Sequence, residues 1–182
     1  AHRAMKALTL IFSLLLLGGC AGGLQIDPQH PSANHDSRVQ WVVVHYTSTD
    51  VQHSLELLTR GGVSSHYLIG EAPATIYQLV DENRRAWHAG DSQWRGRTWL
   101  NASTLGIELV NQGYADTPAG RVWQPYSEAQ IDALILLLKD IVQRHHLPID
   151  SIIGHSDIAP QRKVDPGPLF PWRRLADAGL IR

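Results

Sequence analysis

The chain has 182 residues, of which 43% are hydrophobic and 18% charged, with a formal net charge of −1. Those values suit one globular domain with its own core and exclude a disordered chain. They also argue against a nucleic-acid partner, because a phosphate-binding face needs a cationic excess and the basic residues here are scattered. The 10 histidines raise metal or acid–base chemistry, and the 1 cysteine excludes both an internal disulfide and a multi-cysteine zinc site.

The first segment reads as an export signal. Arg3 and Lys6 form a short positive region, followed by the uncharged run ALTLIFSLLLL, Ala7–Leu17. That length fits the apolar core of a signal peptide, whereas a bilayer-spanning helix needs about 20 apolar residues. The run passes into LGGC, Leu17–Cys20, which resembles a bacterial lipobox, where cleavage leaves the cysteine as a lipidated first residue. An ordinary signal peptide with an incidental cysteine is the other reading. On the lipobox reading residues 1–19 are a signal peptide, with Met5 the candidate initiator, and Cys20 is the lipidation site. Residues 20–37, small, polar and proline-containing, then form a tether. Each methylene of an acyl anchor contributes about 0.8 kcal/mol of membrane affinity. Ala21, rather than aspartate, after the cysteine resembles the pattern sorted to the outer membrane. The expectation is a periplasm-facing outer-membrane lipoprotein, monomeric beyond its lipid anchor.

The folded part begins near Arg38. VQWVVVHY, Val39–Tyr46, is a β-branched run of strand length, buried on both faces. Asp50–Gly62 predicts a helix, capped by Asp50 and stopped by Gly61 and Gly62. SSHYLIG and TIYQLV predict two short strands joined through EAPA as a hairpin. Ser103–Val110 predicts another strand. Ser127–His146 predicts a long helix with a Ser127/Gln130 capping box. Ile131, Leu134, Ile135, Leu138, Ile141 and Val142 form its buried face, and Pro148 ends it. LFPWRRLADAGLI predicts a last short helix. Strands alternating with helices, plus one hairpin, predict a single α/β domain over residues 38–182: a central mixed β-sheet flanked by helices.

Three residues stand out chemically. His45 closes the first strand, His155 follows the apolar run SIIG, and Asp165 precedes PGP. Two imidazoles and one carboxylate suffice for a catalytic zinc site with one open position. Pro166 and Pro168 stiffen the backbone beside Asp165. Taken alone, each histidine reads sooner as a hydrogen-bonded structural residue than as a ligand, and spacing does not show that His45 and His155 meet. Taken alone, Glu108 reads sooner as an edge-strand carboxylate facing solvent and Lys163 as a solvated loop charge.

The motifs VVVHYTS, SSHYLIG, RAWHAG, LGIELV and GHSDIAPQRKVDPGP occur in this order. Together they resemble the zinc-dependent N-acetylmuramoyl-L-alanine amidases of the type 2 family, related to peptidoglycan recognition proteins. The lipobox favours the lipoprotein branch of that family over its cytosolic branch. The resemblance covers about residues 38–175. It implies one Zn2+ held by His45, His155 and Asp165, with Glu108 as general base and Lys163 stabilising the oxyanion. It implies hydrolysis of the bond between N-acetylmuramic acid and L-alanine in peptidoglycan or muropeptides, for wall turnover or recycling. The alternative is a non-catalytic peptidoglycan-binding lipoprotein, which an intact ligand set disfavours. A zinc peptidase acting within the stem peptide is a further rival, and the chain lacks the HExxH helix of common zincins.

Trp87 and His88 are candidates for the substrate groove, since indole faces suit sugar rings. Asn101 is a candidate peptide contact, and His66 a candidate to contact substrate or orient a neighbour. Asp157 is read as structural or as orienting a ligand. His145 and His146 suit a helix C-terminus, and His30, His35 and His53 the surface. Trp94, Trp99, Trp123 and Trp172 are read as packing residues.

Overall fold

The computed structural model describes residues 23–182, so the signal segment and Cys20 lie outside the described residues. The chain divides into two units, up to His35 and from Asp36 to Arg182. Residues 23–35 carry no regular secondary structure, and every element below lies in the second unit.

The order is β1 Trp41–Tyr46, α1 Val51–Arg60, β2 Tyr67–Ile69, β3 Ile76–Gln78, β4 Gln93–Trp94 and β5 Arg97–Thr98. A 3-10 turn at Leu100–Ala102 leads into β6 Thr104–Leu109, β7 Tyr114–Thr117 and β8 Gly120–Trp123. Then come α2 Glu128–His145, β9 Ile152–Gly154, α3 His155–Ile158 and α4 Trp172–Asp177. The main sheet has 5 strands in the order β3-β2-β6-β1-β9. β1 is parallel to β6 and β9, β2 is parallel to β6, and β3 pairs antiparallel with β2. The mixed sheet and the 67–78 hairpin are those the sequence predicts. The small hairpins β4–β5 and β7–β8 were not foreseen, because two- to four-residue strands are too short to show an alternation.

Strand alternation sorts the core into two layers. Val42, Val44, Leu105, Ile107, Leu109 and Ile152 face one side, where they meet Ile131, Leu134, Leu138 and Ile141 of α2. Each fully buried aliphatic side chain contributes about 1.5–3 kcal/mol relative to exposure. Val43 and Ile153 face the other side with Leu100, Ala89 and Ile158. On α2, Leu137 joins the buried face, while Ile135 and Val142 are only partly covered. Ser127 caps α2 by accepting from the Gln130 N–H, but the reciprocal half of the predicted capping box is absent. The Gln130 amide instead donates to the Ile69 and Val110 carbonyls and ties α2 to the sheet. Asp50 caps α1 as predicted, accepting from Gln52 and His53. Trp94 and Trp172 pack against the core, whereas Trp99 is 65% exposed and departs from its expected packing role.

Because β1, β6 and β9 run parallel, their carboxyl ends lie along one edge of the sheet, the usual place for a site in an α/β fold. His45, Glu108 and His155 all sit there.

Candidate functional site

The three candidate ligands converge. His45 Nδ1 is 2.9 Å from His155 Nδ1, and each lies 3.1 Å from Asp165 Oδ2. All three residues are buried, and one ligand atom from each falls within 4.8 Å of the others. The elements explain this convergence. His45 is the penultimate residue of β1, and His155 opens α3 directly after β9. Asp165 returns to them because its carbonyl accepts from Ser156 N–H at 2.8 Å, while the Tyr126 hydroxyl donates to the Pro166 carbonyl at 2.7 Å. Asp157 takes the structural of its two predicted roles: its carboxylate accepts from Gly154 N–H at 2.7 Å and pins the start of α3.

The donor set can hold a metal ion. The outer nitrogen of His155, Nε2, faces the Ala89 carbonyl at 3.3 Å, and Nε2 of His45 faces His88 Nδ1 at 2.9 Å. With those outer nitrogens protonated, the two Nδ1 atoms and the carboxylate oxygen present three lone pairs to one point, an arrangement a cation satisfies. Ligands held tetrahedrally at about 2.0–2.1 Å stand about 3.3 Å apart, close to the triangle found here. Burial lowers the His45 pKa to about 4, against the raising effect of Asp165, so the ring is neutral at physiological pH, as a ligand must be.

Beside the triad opens a cleft of about 800 Å³ whose wall includes His45, His155, Asp165, Glu108 and Lys163. Glu108 lies inside the sheet, between β2 and β1, rather than on a solvated edge. Its Oε2 is buried with no hydrogen-bond partner among the described residues. Burial, reinforced by the Asp165 charge and opposed by Lys163, raises its pKa well above the ordinary glutamate value. A buried carboxylate with an unused oxygen on a cleft wall is equipped to take up a proton. Lys163 is half-buried on the same wall, on the turn after α3, where its N–H donates to the Ala159 carbonyl at 3.0 Å.

Of the predicted substrate residues, Trp87 and His88 line the cleft, Trp87 with 56% of its surface exposed and His88 buried. Asn101 and His66 do not line it. Asn101 is turned to the backbone: its Oδ1 accepts from the His88 and Ala89 N–H groups at 3.0 and 2.7 Å, which fixes the RAWHAG segment. His66 is fully buried, accepting from Gly106 N–H at Nδ1 and facing the Arg84 carbonyl with Nε2. Its predicted alternative, orienting a neighbour, is what this geometry does. Sequence reasoning missed Thr104, whose hydroxyl meets His88 Nε2 at 3.0 Å. It also missed Tyr46 and Tyr114 on the cleft wall and Arg162, which donates to the Ala89 and Asp91 carbonyls. None of these carries a sequence signal, because each matters only through contacts distant in the chain.

The family model described as N-acetylmuramoyl-L-alanine amidase matches residues 35–168. The chain is 45% identical over 185 residues to the N-acetylmuramoyl-L-alanine amidase AmiD of Escherichia coli K12, covering 94% of this chain and 67% of that protein. It is 32% identical over 179 residues to the 1,6-anhydro-N-acetylmuramyl-L-alanine amidase AmpD of Enterobacter cloacae, covering 84% and 90%. Among solved structures it resembles E. coli AmiD in complex with the substrate anhydro-N-acetylmuramic acid-L-Ala-D-gamma-Glu-L-Lys, with a TM-score of 0.82, covering 88% of this chain and 65% of that one. AmpDh3 from Pseudomonas aeruginosa in complex with anhydromuramic pentapeptide gives a TM-score of 0.79 at 39% identity, covering 87% and 68%. The chain thus spans about two thirds of the length of its AmiD relative. On its own sequence, its mixed sheet and the match over residues 35–168, it belongs to the N-acetylmuramoyl-L-alanine amidase family.

Proposed function

We propose that this chain is a zinc-dependent amidase that cleaves the bond between the lactyl carbonyl of N-acetylmuramic acid and the amine of L-alanine. Anhydro-muropeptides, the ligands of the AmiD and AmpDh3 complexes, are proposed as substrates, and wall turnover or recycling as the role. The observation that carries this reading is the meeting of His45, His155 and Asp165 at a cleft that also holds Glu108 and Lys163.

His45, His155 and Asp165 would hold the metal. Zinc supplies Lewis acidity, which polarises a scissile carbonyl and makes hydroxide available near neutral pH. Glu108 takes the proton from the attacking water and returns it to the leaving nitrogen, as its uncompensated burial favours. Lys163, on the same cleft wall, would stabilise the charge that develops on the carbonyl oxygen. Trp87 offers an exposed indole face to the sugar. The test is incubation with a defined anhydro-muramyl-tripeptide and analysis by mass spectrometry. Release of a free peptide beginning with L-alanine supports the reading, and intact substrate that stays bound moves it to the peptidoglycan-binding alternative.

The proposal extends to location. Residues 1–19 act as a lipoprotein signal, Cys20 carries the lipid, 20–37 form the tether and 38–182 the catalytic domain. The protein then faces the periplasm from the outer membrane as a monomer. The support is the Leu17–Cys20 lipobox with Ala21 after it. Labelling with a palmitate analogue, lost in Cys20→Ala, and recovery in outer-membrane fractions test it. Unlabelled protein in the soluble fraction would defeat it.

A further inference from the structure

A histidine binds a metal through a ring nitrogen that carries no proton, and the hydrogen bond made by the other nitrogen sets which one that is. What fixes it for His45 is legible from the far end of a hydrogen-bond chain. The Leu100 carbonyl oxygen can only accept, and the Thr104 hydroxyl donates to it at 2.7 Å. With its one proton committed, Thr104 Oγ1 can only accept from His88, 3.0 Å away, so His88 is protonated at Nε2. The other His88 nitrogen, Nδ1, is the one that faces His45, and the ring is buried. That Nδ1 is placed to accept from His45 Nε2 at 2.9 Å, and a His45 ring with its one proton there turns the lone pair of Nδ1 towards His155 and Asp165.

The next residue along the chain does the same for the second imidazole. The Ala89 carbonyl can only accept, and His155 Nε2 faces it at 3.3 Å, so a His155 ring with one proton carries it on Nε2 and presents Nδ1. The two-residue segment is held from several sides. Asn101 Oδ1 accepts from both its N–H groups, and Arg162 donates to the Ala89 carbonyl. The His88 ring lies flat against β6 at Gly106, where a Cβ would come within 2.4 Å of its Cγ. His66 accepts from Gly106 N–H at 3.0 Å and holds β6 at that point.

We infer that His88 and Ala89 preset both imidazole ligands for the metal, His88 acting as a positioning residue at the head of a relay that runs from His45 through Thr104 to the Leu100 carbonyl. The consequence for zinc rests on the metal reading above, while the tautomers rest on the hydrogen bonds of singly protonated rings. The inference gives the WHAG segment a role besides lining the groove. It also assigns Thr104, which lies outside the cleft wall, a measurable effect on the metal.

The test combines zinc titration against a competing chelator with 15N NMR of the histidine rings, on the purified full chain in detergent. In metal-free wild type the His45 proton is expected on Nε2; a proton on Nδ1 would overturn the relay. His88→Ala, which removes the acceptor, is expected to weaken zinc binding about 10- to 100-fold. Thr104→Val keeps the shape but removes the acceptor for His88, and is expected to weaken zinc roughly five-fold and shift the His45 ring signals. Thr104→Ser restores the hydroxyl and is expected to return both readouts to within about two-fold of wild type. Equal zinc affinity in Thr104→Val and wild type would refute the relay even with the metal site intact. Wild type that binds no zinc would instead refute the metal reading, with the NMR signals still deciding the tautomers.

Discussion

His45 and Glu108 are direct register partners across the parallel strands β1 and β6, so both side chains leave the sheet on the same face. One is a candidate metal ligand and the other a candidate base, and two paired strands fix the spacing between them. A site built on rigid neighbours holds its geometry more closely than one built on loops. The register also predicts how the two functions separate. Glu108→Gln keeps shape and removes proton uptake, so kcat is expected to fall about 10²–10⁴-fold with zinc content unchanged. Steady-state kinetics with metal analysis on the same sample checks it, and a parallel loss of zinc would give Glu108 a structural role instead.

Lys163 acts on the charge that forms on the carbonyl oxygen during the attack that Glu108 assists. Lys163→Met is expected to lower kcat about 10²–10³-fold with a small effect on KM, the pattern of a group that acts on charge developing in the transition state. Kinetics on the anhydro-muramyl-tripeptide checks it. A change confined to KM would make Lys163 a ground-state contact.

Gly106 is required by its neighbour rather than by its own backbone. An added Cβ would meet the His88 ring at 2.4–2.7 Å, and the ring cannot yield without leaving His45 and Thr104. Gly106→Ala is expected to cost about 1–3 kcal/mol of stability, the usual scale for overpacking, and to lower zinc affinity as well. Thermal melts with and without zinc measure both effects.

The acid limit of the fold should trace in part to Glu82. Its pKa is lowered to about 2: burial works to raise it, but hydrogen bonds from Arg144, Tyr67 and His145 outweigh that. A carboxylate with a depressed folded-state pKa contributes stability above its unfolded pKa and loses it as pH falls through the folded value. The contribution, on the order of 2–3 kcal/mol, is therefore present at neutral pH and lost as the pH falls from about 4.5 to about 2. Glu82→Gln should lower Tm at pH 7 and flatten its dependence across that window, as read by circular dichroism. An unchanged acid slope would place the sensitivity elsewhere.

Much of this was legible in the sequence, for identifiable reasons. The β-branched run at β1 and the apolar face of α2 declare themselves because burial imposes a period on consecutive residues. The ligand triad was legible only through motif resemblance, since His45 and His155 are brought together by the parallel pairing of β1 with β9, which no local spacing encodes. The roles of Asn101 and His66 were not legible because a polar residue near a motif looks the same whether it faces substrate or backbone. Their partners, two N–H groups of the RAWHAG segment and one of β6, are backbone groups with no side-chain signature. Thr104 was invisible for the same reason: its value lies in one proton whose destination, the Leu100 carbonyl, only the fold defines.

The most direct test of the central claim is turnover of a defined anhydro-muramyl-tripeptide by the full chain in detergent, with chelator and then with zinc restored. The account predicts a free peptide beginning with L-alanine, lost on chelation and recovered with about one zinc per chain. Cleavage that persists without metal would contradict the role given to His45, His155 and Asp165, and the absence of any cleavage with zinc bound would contradict the amidase itself.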